Sequence, residues 1–270
     1  MCVVHIIINE RDCMLLEQTI DKLYAMKLIG MAEALKEQLE STEISSLCFE
    51  ERIGLLIDQQ WNWKEDRALH NRIKKANFKL NACMEDIDFR TTNRGLSKSC
   101  TVQLSLSNWI QQHQNCVITG PTGVGKTYLA CAIGQKACRN GYRVLYYYIP
   151  KLFRDLQIAS EEGELSQFFN SLSKYHLLII DDWGMDSLTN EQYRDFLEII
   201  DDRHQAASTL ITSQFPLKHW HDHIGNPTIA DAILDRLIHN CHKIEMQGES
   251  MRKLKTLKDE KKKSEHVQES

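Results

Sequence analysis

The sequence predicts an α/β protein with a central parallel sheet flanked by helices, preceded by a small all-helical domain. Two features of the chain predict this class. Residues 14–79 show only helical periodicity, whereas from Trp109 onward short apolar runs alternate with helical segments. Strands that alternate with helices form parallel sheets covered on both faces. The 270 residues, of which 42% are hydrophobic, suffice for one medium or two small domains with a real core.

The N-terminal helices are predicted from the spacing of apolar residues. From Met14 such residues recur near the 3.6-residue period of a helix. They are Leu15, Leu16, Ile20, Leu23, Met26 and Leu28. We expect three or four helices here and assign residues 14–95 to a helical N-terminal domain. Residues 1–13 precede this pattern and are interpreted as a leader or an upstream extension. They make a poor secretory signal, because they include His5 and no basic segment precedes them.

The second domain is predicted to alternate between strands and helices. The strands are expected within NCVITG, YRVLYYYIP, HLLIIDD, STLITSQF and CHKIEMQ. Gly141 is placed to end the first intervening helix, and Thr189 with Gln192 has the spacing of a capping box. Residues 96–252 are assigned to this domain, and residues 253–270 to a basic, disordered tail.

Composition argues against several classes of protein. The nine cysteines include no Cys-x-x-Cys pair, so neither a disulfide framework nor a zinc ribbon is supported. Cys116, Cys131 and Cys138 lie in apolar patterns and are interpreted as small buried hydrophobic residues. No apolar run reaches the ~18 residues of a membrane span, and the odd cysteine count suits a cytoplasmic protein. The net charge of −4 does not by itself favour nucleic acid, so the distribution of charge matters more.

The stretch GPTGVGKT matches the phosphate-binding loop G-x-x-x-x-G-K-[ST], between a predicted strand and a predicted helix. Its glycines allow backbone N–H groups to point at phosphate oxygens, and the helix adds its positive dipole end. Lys126 is expected to reach the β- and γ-phosphates of ATP, and Thr127 to hold Mg²⁺. A glycine-rich turn arising by chance is the alternative, which the context disfavours. The predicted nucleotide-binding residues are Gly120, Pro121, Thr122, Gly123, Val124, Gly125, Lys126 and Thr127.

Polar residues end two apolar strands, at the edge where ligands bind in open α/β sheets. After LLII, Asp181 is expected to organise Mg²⁺ through its water shell, and Asp182 to orient or activate the attacking water as a general base. A polar strand end facing solvent is the alternative. In TLITSQ, Thr212 or Ser213 is a candidate for bonding the γ-phosphate or the water, although strand-end polarity explains them nearly as well.

Two arginines are further candidates. Arg236 lies on a predicted helix, where it can reach a neighbouring subunit's γ-phosphate as an arginine finger. Helix spacing alone favours a local ion pair with Asp231 or Asp235 over this role. Arg252, at the start of the tail, is a candidate for contacting the phosphates in its own subunit.

Together these residues resemble the AAA+ ATPases of the DnaC-like helicase-loader and initiator clade, and more narrowly the IstB-type ATP-binding helper proteins of insertion sequences. The resemblance runs from about Met14 to Arg252. It is carried by EQTIDKLYAMKLIGMAEAL, ITGPTGVGKTYLACAIGQKAC, LLIIDDWG and the long run TLITSQFPLKHWHDHIGNPTIADAILDRLIHNCHKIEMQGESMRK.

The resemblance implies an AAA+ P-loop fold in a protein that couples ATP to self-assembly on DNA, remodels target DNA and stimulates a partner transposase. Residues 120–127 would be Walker A, and the carboxylates after LLII would be Walker B. Ser213 would lie at or beside the first sensor, Arg236 at the arginine finger and Arg252 at the second sensor. Asp182 stands where a glutamate is more usual, which makes a slow ATPase plausible. The helix in PKLFRDLQIAS and its successor match an inserted helical element that can face DNA.

A basic helical segment, KEDRALHNRIKKANFK, is the candidate DNA contact. Its predicted contacts are Arg67, Arg72, Lys74, Lys75 and Lys79. Each phosphate contact would release counterions, whereas a solvated helix face is the alternative. No base-reading motif is present, so we expect backbone contacts and shape readout. The neighbouring Trp61 and Trp63 are interpreted as packed side chains.

The histidines of HWHDH, His219, His221 and His223, alternate along the chain. This spacing does not place three nitrogens around one ion, so the only metal expected is Mg²⁺.

The leading hypothesis is an ATP-dependent helper of transposition. Its expected partners are double-stranded DNA, a cognate transposase and further copies of itself, with ATP at subunit interfaces and no membrane. The N-terminal domain would bind DNA or mediate oligomerisation, and a slow, DNA-stimulated hydrolysis would drive release. A replicative helicase loader is the runner-up, and a nucleotide-gated DNA clamp without useful turnover is the third hypothesis.

Overall fold

The structure is a computed structural model that describes residues 10–41, 44, 47–87, 95–185 and 188–251. The chain divides into two compact units, Met1–Asn71 and Arg72–Ser270. This division, after Asn71, comes earlier in the chain than the domain boundary predicted after residue 95. The boundary after residue 95 stays a prediction. The proposed tail, residues 253–270, lies outside the described residues, as do the first nine residues.

The first unit contains helices α1 (Glu10–Ala25) and α2 (Ile29–Glu40) and most of α3 (Phe49–Ala76). Helix α1 begins at Glu10 and not at Met14, because helical backbone does not require the apolar periodicity that first appears at Met14. The expectation of at least three helices is confirmed.

Helices α2 and α3 approach each other closely at Gly30. A Cβ at this position would lie 2.7 Å from Cβ of Trp63 and 2.8 Å from the carbonyl oxygen of Gln59. Trp63 is half-buried there, whereas Trp61 is 67% exposed. The interpretation of Trp61 as packed is therefore wrong, because its side chain lies on the outer face of α3 within this unit.

The second unit alternates helices and strands. Its helices are α4 (Lys98–Ser105), α5 (Asn108–Gln111), α6 (Lys126–Arg139), α7 (Ile149–Glu161), α8 (Leu165–Ser173), α9 (Asn190–Arg203), α10 (Trp220–Ile224) and α11 (Pro227–Ile238). Its strands are β1 (Asn115–Thr119), β2 (Val144–Tyr148), β3 (Leu177–Trp183), β4 (Ser208–Ser213) and β5 (Cys241–Glu245). All five predicted strands are confirmed.

The strands form one parallel sheet in the order β2-β3-β4-β1-β5. Strand β4, which ends in Thr212 and Ser213, therefore lies beside β3, which carries the two carboxylates. Because all strands run the same way, the polar residues at their carboxyl ends meet at one edge of the sheet.

Both faces of the sheet are covered. Leu178 and Ile180 of β3 pack in a buried cluster that includes Phe196 of α9. Ile179, between them, points to the other face, within 2.7 Å of where a Cβ on Gly134 of α6 would lie. The alternation along one strand thus fixes α6 on one face and α9 on the other.

The helix ends follow local sequence signals. Thr189 and Gln192 form the predicted capping box at the start of α9. Gly141, with φ 91°, follows the end of α6. The buried positions of Cys116, Cys131 and Cys138 confirm the interpretation of these residues as small hydrophobic side chains. Among the described residues, no helix is both long enough and apolar enough to cross a bilayer.

Candidate nucleotide-binding site

The glycine-rich loop joins β1 to α6 at the carboxyl edge of the sheet. Gly123 and Gly125 have φ 84° and 105°, values that residues with a side chain rarely adopt. Gly120 is confined in addition by a neighbour, since a Cβ there would lie 2.2 Å from the carbonyl oxygen of Met246. The loop conformation thus requires the glycines of the motif.

Lys126 begins α6, and its side chain folds back over the loop. Its Nζ donates to the carbonyl oxygens of Gly120, at 2.7 Å, and Pro121, at 2.9 Å. Burial lowers the pKa of Lys126, while the carboxylates of Asp182 and Asp181 raise it and oppose that effect. The loop therefore holds a mostly buried cation at its centre.

Asp181 lies opposite this loop and is fully buried. The hydroxyl of Thr127 lies 3.0 Å from both of its carboxylate oxygens. The hydroxyls of Thr212 and Tyr146 each donate to it at 2.6 Å. Oxygen donors of this kind suit Mg²⁺, so the hydroxyl of Thr127 and the carboxylate of Asp181 fit the predicted metal.

Asp182 lies in a β-bulge, where the pairing of β3 with β4 shifts between Ile180 and Trp183. Its φ of 64° is left-handed, and its N–H donates to the hydroxyl of Thr212 at 3.0 Å. Bulges redirect side chains and are common beside active sites. The two carboxylates have different environments: Asp181 is buried against the hydroxyls of Thr127, Tyr146 and Thr212, whereas Asp182 is partly exposed.

Thr212 and Ser213 have different environments. Thr212 bridges the carboxylate of Asp181 and the backbone of Asp182. The hydroxyl of Ser213 donates to the carbonyl oxygen of Trp183 at 2.8 Å and accepts from the N–H of Phe215 at 3.1 Å. Of the two candidates, Thr212 is the one whose hydroxyl contacts the carboxylate of Asp181, and a nucleotide-binding role for Ser213 stays a prediction.

Two residues that sequence analysis did not assign to this site also contact Asp181. One is Tyr146 of β2. The other is Lys79, a predicted DNA contact, whose Nζ lies 3.8 Å from the Oδ2 of Asp181. A tyrosine in a buried strand signals a hydroxyl that needs a partner, but only the strand order identifies that partner.

The segment after β5 closes over the loop. The N–H of Met246 donates to the carbonyl oxygen of Thr119 at 2.7 Å, and that of Met251 to the carbonyl oxygen of Gly123 at 2.9 Å. Arg252, the predicted second sensor, lies outside the described residues.

Arg236, the predicted arginine finger, lies at the other edge of the sheet. The side-chain nitrogen of Asn115, at the amino end of β1, donates to the carbonyl oxygen of Arg236 at 3.2 Å. Arg236 lines a cavity of about 370 Å³ there together with His204 and His239. Its guanidinium is paired with Asp201 of α9 and donates to the carbonyl oxygen of Ala232 at 3.0 Å. The alternative prediction of an ion pair with Asp231 or Asp235 on the same helix is wrong, because the arginine pairs with Asp201 of α9.

The predicted DNA contacts have separate environments. Arg67 belongs to the first unit and stacks over the ring of Trp63, with 5.0 Å between its Cζ and the ring centroid. Arg72 belongs to the second unit and donates to the carbonyl oxygen of Cys138 at 2.9 Å. Lys74 and Lys75 are exposed in the last turn of α3.

The histidines of HWHDH take different partners. His221 lies 3.3 Å from Asp231, and His223 stacks on Phe215 with 5.1 Å between ring centroids. Within the described part of the chain, no group of three side chains of the kinds that bind metals is assembled.

Comparisons with known proteins identify the family of this chain. The profile of the family described as IstB-like ATP binding protein matches residues 21–259. The insertion sequence ATP-binding protein y4pL of Sinorhizobium fredii is 45% identical over 240 residues, which are 89% of this chain and 98% of that protein. The insertion sequence IS21 ATP-binding protein of Pseudomonas aeruginosa is 31% identical over 237 residues, 88% of each chain.

Solved structures share this fold over about three fifths of the chain. The structure of DnaI aligns with a TM-score of 0.54 and 22% identity, over 62% of this chain and 92% of DnaI. That of the DnaC helicase loader aligns with a TM-score of 0.52 and 19% identity, over 62% and 97%. The fold is thus the predicted AAA+ P-loop fold. By its sequence and by the loop and carboxylates at the sheet edge, the chain belongs to the family of IstB-like ATP-binding proteins of insertion sequences.

Proposed function

We propose that the protein is an ATPase that assembles on double-stranded DNA and serves transposition, with each ATP site completed by a second copy of the chain. Nucleotide binding follows from the family, whose described property is ATP binding. The oligomer, the DNA and the transposase partner are the parts of the proposal that need experiment. Relatives named as insertion sequence ATP-binding proteins support the link to transposition.

One observation carries the shared site. The phosphate loop follows the carboxyl end of β1, whereas Arg236 is held at its amino end. At about 3.3 Å per residue the five-residue strand spans roughly 13 Å, so Arg236 cannot reach the loop of its own chain. An arginine at the far edge can instead reach a neighbour's γ-phosphate by exchanging its exposed partner, Asp201, for the phosphate.

The residues around the loop have complementary proposed roles. The loop from Gly120 to Thr127 holds the phosphates through its backbone N–H groups and the ammonium of Lys126. Thr127 and Asp181 hold Mg²⁺, which when bound neutralises phosphate charge. Asp182, half-exposed beside them, orients the attacking water and accepts its proton. Because an aspartate reaches less far than a glutamate, we expect hydrolysis to be slow and stimulated by DNA.

Two further residues have proposed roles in sensing the nucleotide. Ser213 is the last residue of β4, next to Thr212, and we propose that it senses the nucleotide through this strand end. A role for Arg252 is supported by the preceding residue, Met251, whose N–H bonds the loop at Gly123.

The DNA contacts are proposed on the basic part of α3. Lys74 and Lys75 are exposed in its last turn, and Arg67 is exposed earlier in the helix. The pair α7 and α8 is a poorer candidate for facing DNA. Its cavity is lined by three carboxylates, Asp155, Glu162 and Glu164, and these repel phosphates.

A mixing experiment tests the shared site. Arg236→Ala and Lys126→Ala proteins should each hydrolyse ATP slowly, whereas their mixture should regain activity. At a mixed interface, the intact loop of the first protein faces the intact arginine of the second. The rate of phosphate release with duplex DNA, measured against the mixing ratio, reports this recovery.

The matched control is Asp201→Asn, which removes the partner of Arg236 but keeps the arginine. It should hydrolyse ATP at close to the wild-type rate. If every mixing ratio of the two inactive proteins stays inactive, the arginine does not act across subunits. A monomer in the presence of ATP and duplex, measured by sedimentation, would also contradict the proposal.

A further inference from the structure

Lys79 reaches the ATP site from the segment that follows α3. That helix ends at Ala76, and Asn77 turns the chain with a left-handed φ of 54°. Phe78 then packs so closely on α6 that a Cβ at Gly134 would lie 2.5 Å from its ring.

The same segment is held at its far end. The N–H of Cys83 lies 3.4 Å from the hydroxyl of Tyr128, and Glu85 lies 3.3 Å from the guanidinium of Arg139. Tyr128 and Arg139 belong to α6, the helix that begins with Lys126. The segment is therefore fixed against the helix of the phosphate loop on both sides of Lys79.

The ammonium of Lys79 is held by two groups. It lies 3.8 Å from Oδ2 of Asp181 and 4.8 Å from the centroid of the Tyr148 ring, a distance at which a cation and an aromatic ring attract. Tyr148 pairs with Asp181 across strands β2 and β3. Lys79 thus approaches the magnesium-holding carboxylate from the side of β2.

Two cations that use one carboxylate repel each other. The Asp181 oxygens that face Thr127 are those proposed to organise Mg²⁺, and Lys79 neutralises the same group. Occupation by the metal therefore requires the ion pair with Lys79 to loosen. Because the Lys79 side chain is 46% exposed, solvent screens the pair and allows the ammonium to move away.

We propose that Lys79 is a positioning residue of the ATP site, acting through Asp181, and that it competes with Mg²⁺ for this carboxylate and so sets the metal concentration at which ATP binds. The proposal rests on the proposed function, in which Thr127 and Asp181 hold Mg²⁺. It gives Lys79 a role at the nucleotide, in place of its predicted contact with DNA. It also links the metal site to the segment that continues α3.

The test is a Mg²⁺ titration of the binding of a fluorescent ATP analogue. Lys79→Met keeps the length and apolar stem of the side chain but removes its charge. The half-saturating Mg²⁺ concentration should fall about two- to fivefold, the range expected for loss of a partly exposed ion pair. Lys79→Arg should behave like the wild type. Lys174→Met removes an exposed charge at the end of α8 and should change nothing.

A second measurement follows Lys79 directly. Acylation of lysine amines, quantified by mass spectrometry, should show faster labelling of Lys79 when Mg²⁺ and ATP are added together. Lys174 should label equally in both conditions. Circular dichroism of each variant checks that its fold is intact.

The outcomes separate the two proposals. If the wild type binds the analogue without any dependence on Mg²⁺, the proposed metal site at Thr127 and Asp181 is wrong. If the wild type depends on Mg²⁺ and Lys79→Met has the same or a higher midpoint, the role of Lys79 is overturned. Slower labelling of Lys79 with Mg²⁺ and ATP would overturn it as well, since the ammonium would then contact phosphate.

Discussion

Asp181 is fully buried, and hydroxyls of Thr127, Tyr146 and Thr212 contact its two oxygens. A buried carboxylate without such partners would cost several kcal/mol. Burial, and then the charge of Asp181, raise the pKa of Tyr146 above its usual value. Its hydroxyl therefore stays protonated and continues to donate to Asp181 at alkaline pH.

The contribution of this hydroxyl can be measured with Tyr146→Phe, which keeps the ring. We expect ATP hydrolysis to fall roughly 10- to 100-fold, because a hydrogen bond to a charged group is worth about 1.5–3 kcal/mol and about 1.4 kcal/mol is tenfold in rate. Tyr147→Phe is the control on the same strand, since the hydroxyl of Tyr147 bonds Asp155. Equal rates for the two variants would show that the Tyr146 hydroxyl does not orient Asp181.

At the scale of elements, the approach of α2 to α3 depends on one glycine. Gly30→Ala should destabilise the protein by about 1–3 kcal/mol, because the new methyl group meets the backbone of Gln59 and cannot be accommodated without moving a helix. The free energy of unfolding from urea denaturation, followed by circular dichroism, measures the effect.

Gly54→Ala is the matched control, because among the described residues no atom beyond its chain neighbours and its own helix backbone lies within 4 Å of its would-be Cβ. In this open helical position alanine should instead stabilise by about 0.5–1 kcal/mol. A stabilising effect at Gly30 equal to that at Gly54 would contradict the close packing of the two helices.

The elements differ in how far sequence predicts them. The five strands, the loop and the capping box of Thr189 follow from short local patterns, so the sequence predicts them well. The ion pair between Arg236 and Asp201 joins residues 35 positions apart on different helices, and reasoning from helical spacing considers only near neighbours. Likewise, the contact of Tyr146 with Asp181 depends on which strands are neighbours. No local sequence pattern predicts the β-bulge at Asp182.

At the scale of the whole molecule, the net charge of −4 means that the proposed DNA binding must depend on where the cations lie. Changing both Lys74 and Lys75 to alanine should weaken duplex binding and flatten its salt dependence. Each lost phosphate contact should reduce the slope of log K against log salt by about 0.9. Fluorescence anisotropy at several salt concentrations measures this slope.

Lys174→Ala, which removes one exposed charge elsewhere, is the control and should leave the slope unchanged. An unchanged slope in the double variant would place the DNA contacts outside the last turn of α3.

The position of Arg236 at the opposite edge of the sheet from the phosphate loop has a consequence for assembly. If Arg236 completes the site of a neighbouring copy, as proposed, the copies must join head to tail, and such contacts make rings or open helices but not two-fold dimers. In an open filament, the terminal copy would have an ATP site that no neighbouring Arg236 completes. The rate of ATP hydrolysis per copy would then rise with the length of the filament, and so with the length of the bound duplex.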